Sequence, residues 1–293
     1  MKVLPFKIPK STKESFRVQL DADRYLFDTL HQHSEFQIML IVEGEGTVIA
    51  GDYINPFKEG DLFVIGQNMP HVFRNDPSYY EKDSHLKATA ISVYFDWQSL
   101  GDGFFDLPES RQLSDFLKIC SRSIQVQTPE VVSRLQPMLF ALMDKKGIDR
   151  TIQLLNILGV LSNCQDYDLL ASSSNMTYDN EEDGRRMDRI FKFTMENYQR
   201  SVSLDEVADI ANMTPNAFCR YFKRHTRKTY VTLLNEVRIG QACKLLQYDE
   251  HTVTEVCFMV GFNNLSNFNR KFKQYMGVTP TEYGRRHKRA LAI

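Results

Sequence analysis

The sequence predicts a multidomain protein of β + α class, with an N-terminal β-barrel, a helical segment and an all-α C-terminal domain. Short apolar segments rich in β-branched and aromatic residues recur before residue 100. Apolar residues then recur at helical spacing up to Cys164. Beyond residue 200 the chain nearly repeats itself. We place the domains at 1–108 (β), 109–170 (helical), 171–185 (linker) and 186–293 (all-α).

The two ends of the chain carry opposite charge, although the net charge of the whole is only −1. From Arg185 onward there are 19 Lys/Arg against 10 Asp/Glu, a net charge of +9. The first 184 residues have 17 against 27, a net charge of −10. The polar stretch ASSSNMTYDNEEDG at 171–184 lies where the sign changes and has the composition of a linker. Such asymmetry indicates that the C-terminal part binds a polyanion; compositional drift is the alternative.

Composition also excludes several classes of protein. No apolar run reaches the ~18–20 residues of a membrane span, and the N-terminus has no long apolar segment typical of a signal peptide. The five cysteines are scattered and form no C-x-x-C pair, which favours reduced thiols over a structural zinc site. We therefore expect a cytoplasmic protein that has no contact with a membrane.

Four predicted strands alternate with turn signals in the N-terminal part. The strands are FQIMLIV (36–42), TVIAG (47–51), DLFVI (61–65) and ATAISVYF (88–95), and the turns are EGEG (43–46), NPFKEG (55–60) and GQNMP (66–70). Short strands at this regular spacing predict a small barrel or sandwich.

Two strongly apolar helices are predicted downstream of Glu109. Their apolar positions follow the i, i+3, i+4, i+7 pattern: Leu135, Met138, Leu139 and Leu142 in one, Leu154, Ile157, Leu158 and Leu161 in the other. Two interpretations stay open: the helices pack on their own barrel, or they form a subunit interface. The second interpretation makes this a dimerisation segment and the protein a homodimer.

The basic part contains two similar segments, SLDEVADIANMTPNAFCRYFK (203–223) and TVTEVCFMVGFNNLSNFNRKFK (252–273). Ser203-x-x-Glu206 and Thr252-x-x-Glu255 are capping boxes that begin a helix. Asn212 and Gly261 tolerate the positive φ that ends one.

A second helix follows in each copy. Thr214-Pro215 begins it in the first copy, and Asn263 is the expected cap in the second. Two short helices joined by a tight turn form a helix-turn-helix unit, in which the second helix lies in the major groove of DNA. Two such units in tandem, in a net-positive domain, predict DNA binding.

One helix over 229–247 connects the two copies. Its length is roughly 28 Å at 1.5 Å per residue, close to the ~34 Å between successive major grooves on one face of DNA. We expect a buried face made of Val231, Ile239, Ala242, Leu245 and Leu246. Arg238 lies near that face and is expected to pair with a carboxylate inside the domain rather than with DNA.

The pattern GF-x3-S-x-F-x-R-x-FK-x3-G-x-TP-x2-Y, from Gly261 to Tyr283, resembles the signature of the AraC/XylS family of transcription regulators. The resemblance covers about 186–287. It implies a seven-helix domain whose tandem units dock on one side of double-stranded DNA, with RNA polymerase as a further candidate partner.

Exposed positions of the two recognition helices are the candidate DNA contacts. Asn pairs bidentately with adenine and Arg with guanine, while small or apolar side chains contact the thymine methyl and Lys binds phosphate. The candidates are Thr214, Asn216, Ala217, Arg220 and Lys223 in the first copy, and Asn264, Leu265, Ser266, Asn267, Asn269, Arg270 and Lys273 in the second. The resemblance places Asn216, Arg220, Ser266 and Arg270 in the groove. Because Arg220 and Arg270 recur in both copies, a scaffold or backbone role is their alternative.

Residues 31–75 resemble the cupin motifs, with His-x-His, a glycine-rich turn and G-D-L-x-x-I-x-x-x-x-P-H. The resemblance implies a cupin-like sensor barrel over about 15–97. A metal-binding cupin would use His31, His33, a carboxylate and His71, but Gln37, a poor neutral ligand, stands at the carboxylate position. Glu35 is one strand step nearer, at the wrong spacing. We expect an effector pocket lined by His31, His33, Gln37 and His71, without metal or other cofactor; purely structural histidines are the alternative.

These expectations combine into a sequence-specific DNA-binding regulator, an activator that responds to a small molecule such as a sugar. A ligand shifts such a protein only if it binds two arrangements with different affinity. The alternatives are a metal-dependent cupin enzyme fused to a DNA-binding domain, and a regulator that needs no ligand.

Overall fold

The computed structural model describes residue 8 and residues 14–174, 181–247 and 251–291. The chain divides into two compact units, one made mostly of residues before Arg185 and one made mostly of residues from Arg185 onward. Of the predicted linker, residues 175–180 lie outside the described part of the chain. The remainder of the linker is not uniform, since Ala171 is buried and residues 181–185 are helical.

The N-terminal strands form two antiparallel sheets. In chain order they are β1 (Arg17–Asp23), β2 (Phe36–Glu43), β3 (Gly46–Ala50), β4 (Tyr53–Phe57), β5 (Leu62–Ile65), β6 (His71–Asn75), β7 (Ala88–Phe95), β8 (Ile124–Val126) and β9 (Tyr167–Leu169). The six-stranded sheet has the order β1-β7-β2-β5-β8-β9, and the three-stranded sheet has the order β4-β3-β6. The sheet-rich sensor fold expected from the cupin resemblance is confirmed.

The larger sheet is covered on both faces, which explains why its central strands are continuous apolar runs. Along β2, Met39 and Ile41 join a core with residues of the smaller sheet, whereas Ile38 and Leu40 join a core with the helices. The predicted strands correspond to β2, β3, β5 and β7. The predicted turn at 55–60 is partly wrong, because β4 extends through Phe57 and pairs with β3.

Three helices of the N-terminal unit pack on the larger sheet: α1 (Arg111–Cys120), α2 (Pro129–Asp144) and α3 (Gly147–Ser162). Strand β8 interrupts the region predicted to be helical throughout. Leu135, Leu139 and Leu142 of α2 and the predicted stripe of α3 are buried in the same core as β2 and β7. Packing on the protein's own sheet therefore accounts for this periodicity without a second subunit.

The C-terminal unit contains, among its described residues, the seven helices that the resemblance implied. They are α4 (Glu181–Asn197), α5 (Leu204–Ile210), α6 (Pro215–Thr226), α7 (Tyr230–Gln247), α8 (Val253–Met259), α9 (Leu265–Met276) and α10 (Pro280–Leu291). A search of the described helices found none with the length and apolar character needed to cross a bilayer.

The first helix of each pair begins and ends as predicted. Ser203 and Glu206 form a complete capping box at the start of α5, and Thr252 and Glu255 form one at the start of α8. Asn212 has φ +53° and Gly261 has φ +87° in the turns that follow. The sequence did not lead us to a third box, in which Thr279 and Glu282 exchange hydrogen bonds at the start of α10.

The predicted single buried face of α7 is partly wrong. Val231 is 53% exposed, while buried side chains occur around most of the helix, among them Leu233, Val237 and Leu246. The reason is that α6, α8, α9 and α10 all contact α7, so one stripe cannot serve every neighbour.

The predicted partner of Arg238 is also wrong. Its guanidinium donates to two backbone carbonyls rather than to a carboxylate, with Nε 2.8 Å from Tyr198 O and Nη2 2.7 Å from Arg200 O. These carbonyls follow the last turn of α4, where backbone oxygens lack helical partners. The structural role that we expected for Arg238 is retained through a different acceptor.

Gly261 and Gly277 form a matched pair for testing the turn of the second helix pair. Both have positive φ, but a Cβ on Gly261 would lie 2.3 Å from Tyr198 O, whereas one on Gly277 would meet open space. We expect Gly261→Ala to destabilise the C-terminal unit by about 3 kcal/mol, from strain and overlap together. Gly277→Ala is expected to cost about 1–2 kcal/mol. Urea unfolding followed by far-UV circular dichroism measures both; equal losses would contradict the close approach at Gly261.

Candidate nucleic-acid interface and ligand pocket

Helix α6 has one buried face and one exposed face. Phe218, Tyr221 and Phe222 are buried against the rest of the unit. The opposite face exposes polar and basic residues, namely Asn216, Cys219, Arg220 and Lys223. Thr214 is the N-cap and accepts from the amide of Ala217 at 3.4 Å. The first group of predicted DNA-contacting residues therefore lies on or at the start of one accessible helix.

Helix α9 repeats this division. Phe268 and Phe272 are fully buried. Ser266, Asn269, Arg270 and Lys273 are exposed, whereas Leu265 and Asn267 are half-buried. The guanidinium of Arg270 donates to Asn267 Oδ1 at 2.8 Å, which joins two predicted base-contacting side chains on the outer face.

The N-cap of α9 is Asn264, not the Asn263 that we expected. Asn264 has extended backbone angles, and its side-chain oxygen accepts from the amide of Asn267 at 2.9 Å. The turn is one residue longer than in the first copy, and this insertion moves the cap by one position. The side-chain oxygen of Asn264 therefore caps the helix, and only its side-chain NH2 group remains to contact DNA.

Additional basic residues lie beside the predicted contacts of the first unit. Arg224 and Arg227 follow Lys223 at the end of α6, and both are exposed. Their positive charge lies close to the face that carries Arg220, where it can contribute to phosphate attraction. These two residues were not among the predicted DNA contacts; in the sequence, only the positive net charge of the C-terminal part pointed to them.

The four residues of the predicted effector pocket converge in the N-terminal unit. Backbone atoms of His31 and His71 pair across an isolated antiparallel bridge. A ring nitrogen of each of His31, His33 and His71 lies within 4.8 Å of the others, and all three side chains are buried. Gln37 Oε1 lies 3.3 Å from His33 Nε2 and 3.1 Å from His71 Nε2. The local motif His-x-His and a residue 38 positions later thus share one site.

Each histidine ring has its Nδ1 against a backbone carbonyl. The acceptors are Thr29 O for His31 (2.9 Å), Glu35 O for His33 (2.9 Å) and Met69 O for His71 (2.8 Å). Because a carbonyl oxygen only accepts, each Nδ1 carries the proton in the neutral ring and each Nε2 presents a lone pair.

Burial keeps these rings neutral. It lowers the pKa of His31 to about 4, and it also lowers the pKa of His33 and, still further, that of His71. The mutual repulsion of the rings acts in the same direction for His31 and His71.

Two residues of strand β7, Ser92 and Tyr94, contact this cluster, and neither is among the four residues predicted to line the effector pocket. The amide nitrogen of Gln37 donates to Ser92 Oγ at 3.0 Å and to Tyr94 OH at 3.2 Å. Gln37 is paired directly with Tyr94 in the β2–β7 register. Alternation along the predicted strand at 88–95 places Ser92 and Tyr94 on one face, which was the available signal.

Glu35 does not replace a missing carboxylate ligand. Its carboxylate lies 3.9 Å from His33 Nδ1, the ring nitrogen that faces away from the convergent lone pairs. The convergent donors are therefore three imidazole nitrogens and one neutral amide oxygen. Imidazole nitrogen is a donor that zinc, copper, iron and nickel ions accept in proteins, but the fourth position holds a neutral amide where a metal-binding cupin has a carboxylate, so the set matches that metal site only in part.

Comparison with known proteins identifies both units. Residues 14–150 match the family model described as an AraC-like ligand binding domain, and residues 207–286 match a helix-turn-helix domain. The uncharacterized HTH-type transcriptional regulator YdeC of Bacillus subtilis is 26% identical over 87% of this chain and 85% of its own length. The raffinose operon regulatory protein RafR of Pediococcus pentosaceus is 23% identical over 88% of each chain. The activator RhaS of Mannheimia succiniciproducens is 24% identical over 86% and 87%, respectively.

A ligand-binding sheet domain joined to tandem helix-turn-helix units defines a DNA-binding transcription regulator. The chain belongs to the AraC family of such regulators, as the pattern from Gly261 to Tyr283 predicted.

Asn263 and Asn264 form a matched pair for testing the cap of α9. Replacing Asn264 by Ala removes the acceptor for the amide of Asn267 and is expected to destabilise the C-terminal unit by about 1 kcal/mol. Asn263→Ala is expected to stay within about 0.5 kcal/mol of the parent. Thermal unfolding of both variants checks this. If Asn263→Ala lost more stability than Asn264→Ala, the N-cap would be Asn263, as the sequence predicted.

Proposed function

We propose that this regulator is an effector-responsive transcription activator that binds double-stranded DNA as a homodimer. The observation that carries the proposal is the pair of recognition helices, α6 and α9, whose outer faces are polar and basic. They are connected by α7, an 18-residue helix about 27 Å long. That length suits recognition helices in two successive major grooves. The activator RhaS and the raffinose operon regulator RafR, among the relatives, support this assignment.

We propose that the polar faces divide into base contacts and phosphate contacts. Asn216, Arg220, Ser266 and Arg270 are assigned to base edges, because amide, hydroxyl and guanidinium groups read them. Lys223 and Lys273 are assigned to phosphate. The other proposed contacts are Thr214, Ala217, Asn264, Leu265, Asn267 and Asn269. Since Arg270 donates to Asn267 in the DNA-free protein, the two are expected to act together.

We also propose a homodimer formed through the helical segment at 109–170, with a sensor at 1–108, a linker at 171–185 and a DNA-binding domain at 186–293. Apolar side chains that the monomer leaves exposed support an interface: Ile148 is 72% exposed, and Ile152 and Met143 are also exposed.

RNA polymerase is the proposed partner in activation. We assign the protein to the cytoplasm and regard it as a regulator without enzymatic activity, consistent with the names of its relatives.

The proposed effector site is the pocket of His31, His33, Gln37 and His71. Polar groups in a buried pocket select a ligand by hydrogen bonding, because an analogue that leaves them unpaired binds poorly. Phe27 lies beside this cluster: it is half exposed, and its ring centroid lies 5.0 Å from that of His31. An exposed aromatic ring beside buried donors and acceptors suits a sugar, whose apolar face stacks while its hydroxyls form hydrogen bonds.

The DNA assignment predicts two different mutant phenotypes. Ser266→Ala is expected to change the order of preferred sequences in a randomised-site selection while leaving thermal stability unchanged. Lys273→Ala is expected to weaken binding to all sequences uniformly and to reduce the salt slope by about one unit. Lys82→Ala, at an exposed lysine between β6 and β7 of the N-terminal unit, serves as the control and is expected to change neither. If Ser266→Ala prefers the same DNA sequences in the same order as the parent, Ser266 does not contact a base.

The effector assignment predicts a ligand-induced rise in unfolding temperature. We expect a thermal-shift screen of the full chain against sugars and related metabolites to find a binder, which at 100 times its Kd stabilises the protein by about 2.7 kcal/mol. His71→Ala is expected to abolish the shift, and His85→Ala, at an exposed histidine outside the pocket, to retain it. A shift that survives in a folded His71→Ala variant would place the effector elsewhere.

A further inference from the structure

The two recognition helices are built alike, so their residues can be compared position by position. Each helix has 12 residues and follows an N-cap whose side chain accepts from the third residue of the helix. The caps are Thr214 for α6 and Asn264 for α9. Aligned on these caps, Arg220 corresponds to Arg270, and both arginines are exposed.

The residue one turn before each arginine differs between the two helices. In α9 it is Asn267, whose Oδ1 accepts from Nη2 of Arg270 at 2.8 Å. Arginine has only donors, so the oxygen of this amide, and not its nitrogen, faces the guanidinium. In α6 the equivalent residue is Ala217, whose methyl group offers no acceptor. Among the residues that the structure describes, none forms a hydrogen bond with the guanidinium of Arg220.

The bond from Arg270 to Asn267 leaves the rest of α9 and the base-reading edge of the arginine available. The N-cap is served by the backbone amide of Asn267, so the side chain of this residue is free to accept from Arg270. Phe268 and Phe272 fix the rotation of the helix from its buried face. A guanidinium has five N–H donors, and the others can still form the paired hydrogen bonds to O6 and N7 of guanine.

A restrained arginine discriminates between bases more sharply than a free one. Ordering a long, flexible side chain opposes binding, and a side chain that is ordered beforehand avoids this cost. A free arginine can also swing to a phosphate where guanine is absent, which replaces part of the lost interaction. Because Asn267 opposes that swing, a site without the guanine is bound less tightly. Specificity rises when the wrong site is disfavoured as well as when the right site is favoured.

We propose that Asn267 is a positioning residue that holds Arg270 in its guanine-reading orientation. The second helix-turn-helix unit therefore discriminates at the base pair read by its arginine more sharply than the first unit does. This inference rests on the proposed function, which assigns Arg220 and Arg270 to base edges. Asn267 exerts its effect through Arg270, and Ala217 is the reason that Arg220 lacks the same support.

The test uses the full-length protein and labelled duplexes derived from the best site of a randomised-site selection. Arg270→Ala and Arg220→Ala first identify the base pair that each arginine reads, as the position at which each variant loses its preference. Fluorescence anisotropy then gives, for every variant, the ratio of the Kd for a mismatched base pair to the Kd for the preferred one. The unfolding temperature is measured as well, because a merely structural loss would lower it and weaken binding to both duplexes equally.

Asn267→Ala is expected to lower this ratio about three- to tenfold at the position read by Arg270, with the unfolding temperature unchanged. Asn267→Asp keeps the acceptor and is expected to keep the ratio, although its negative charge weakens binding to every duplex. Ala217→Asn introduces the acceptor into the first unit. We expect it to raise the ratio at the position read by Arg220 at least about threefold.

Gln274→Ala is the matched control. It removes the hydrogen bond that Gln274 Oε1 accepts from Lys271 Nζ at 3.2 Å, which also spans three residues of α9 but lies outside the proposed DNA contacts. We expect this variant to keep the parent's ratio at both positions, because neither arginine loses a partner.

Four results would overturn the inference. An unchanged ratio in folded Asn267→Ala would show that Asn267 does not position Arg270, while base reading by Arg270 would stand. Tighter binding of Asn267→Ala to the preferred site would show that the bond holds Arg270 away from DNA. An unchanged ratio in Ala217→Asn would show that this position does not set the difference between the units. If either arginine variant loses preference at no position, the base contact proposed for that arginine is wrong, and the comparison of the two units fails with it.

Discussion

The C-terminal unit depends on one polar interaction, between Arg238 of α7 and the backbone that follows α4. Two charge-assisted hydrogen bonds, each stronger than a neutral one, hold the carbonyls of Tyr198 and Arg200 against the connector helix. The same segment contacts the turn of the second helix pair, because Gly261 lies close to Tyr198 O. Phe262 completes the arrangement, since its ring lies 5.6 Å from the guanidinium. One turn therefore sets the positions of α4, α7 and the start of the second helix-turn-helix unit.

With the scaffold held in this way, the recognition helices can carry residues that are poor helix formers. Asn and Ser lower the intrinsic stability of α9. Compensation comes from the buried face of Phe268 and Phe272, and from the Asn264 cap at its first turn. Stability and recognition thus occupy opposite faces of one helix. Sequence specificity can change on the outer face with little effect on the fold, because substitutions at exposed positions shift stability by only a few tenths of a kcal/mol.

Features that depend on local sequence were predictable, and features that depend on distant partners were not. The capping boxes and the positive-φ residues Asn212 and Gly261 follow from contacts within a few residues. Strand β1 was missed because its half-buried residues lack the apolar run of β2 and become a strand only by pairing with β7. The buried face of α7 could not be found from one helical stripe, since four helices surround it. In the pocket, His31, His33, Gln37 and His71 were predictable from motifs, but the tautomers depend on backbone carbonyls that no motif encodes.

The pocket that we propose for the effector and the helical segment share strand β2, so an effector bound there would contact a strand whose other face packs on the helices. Side chains alternate along a strand, so Gln37 and Met39 face the pocket side while Ile38 and Leu40 face the core that contains α2 and α3. Gln37 is also tied to β7 through Ser92 and Tyr94, and β7 packs on the same helices. A ligand that redirects the Gln37 amide changes hydrogen bonds on two adjacent strands at once. Because a close-packed core cannot absorb strand displacement without repacking, α2 and α3 are the elements through which occupancy of the pocket can be transmitted.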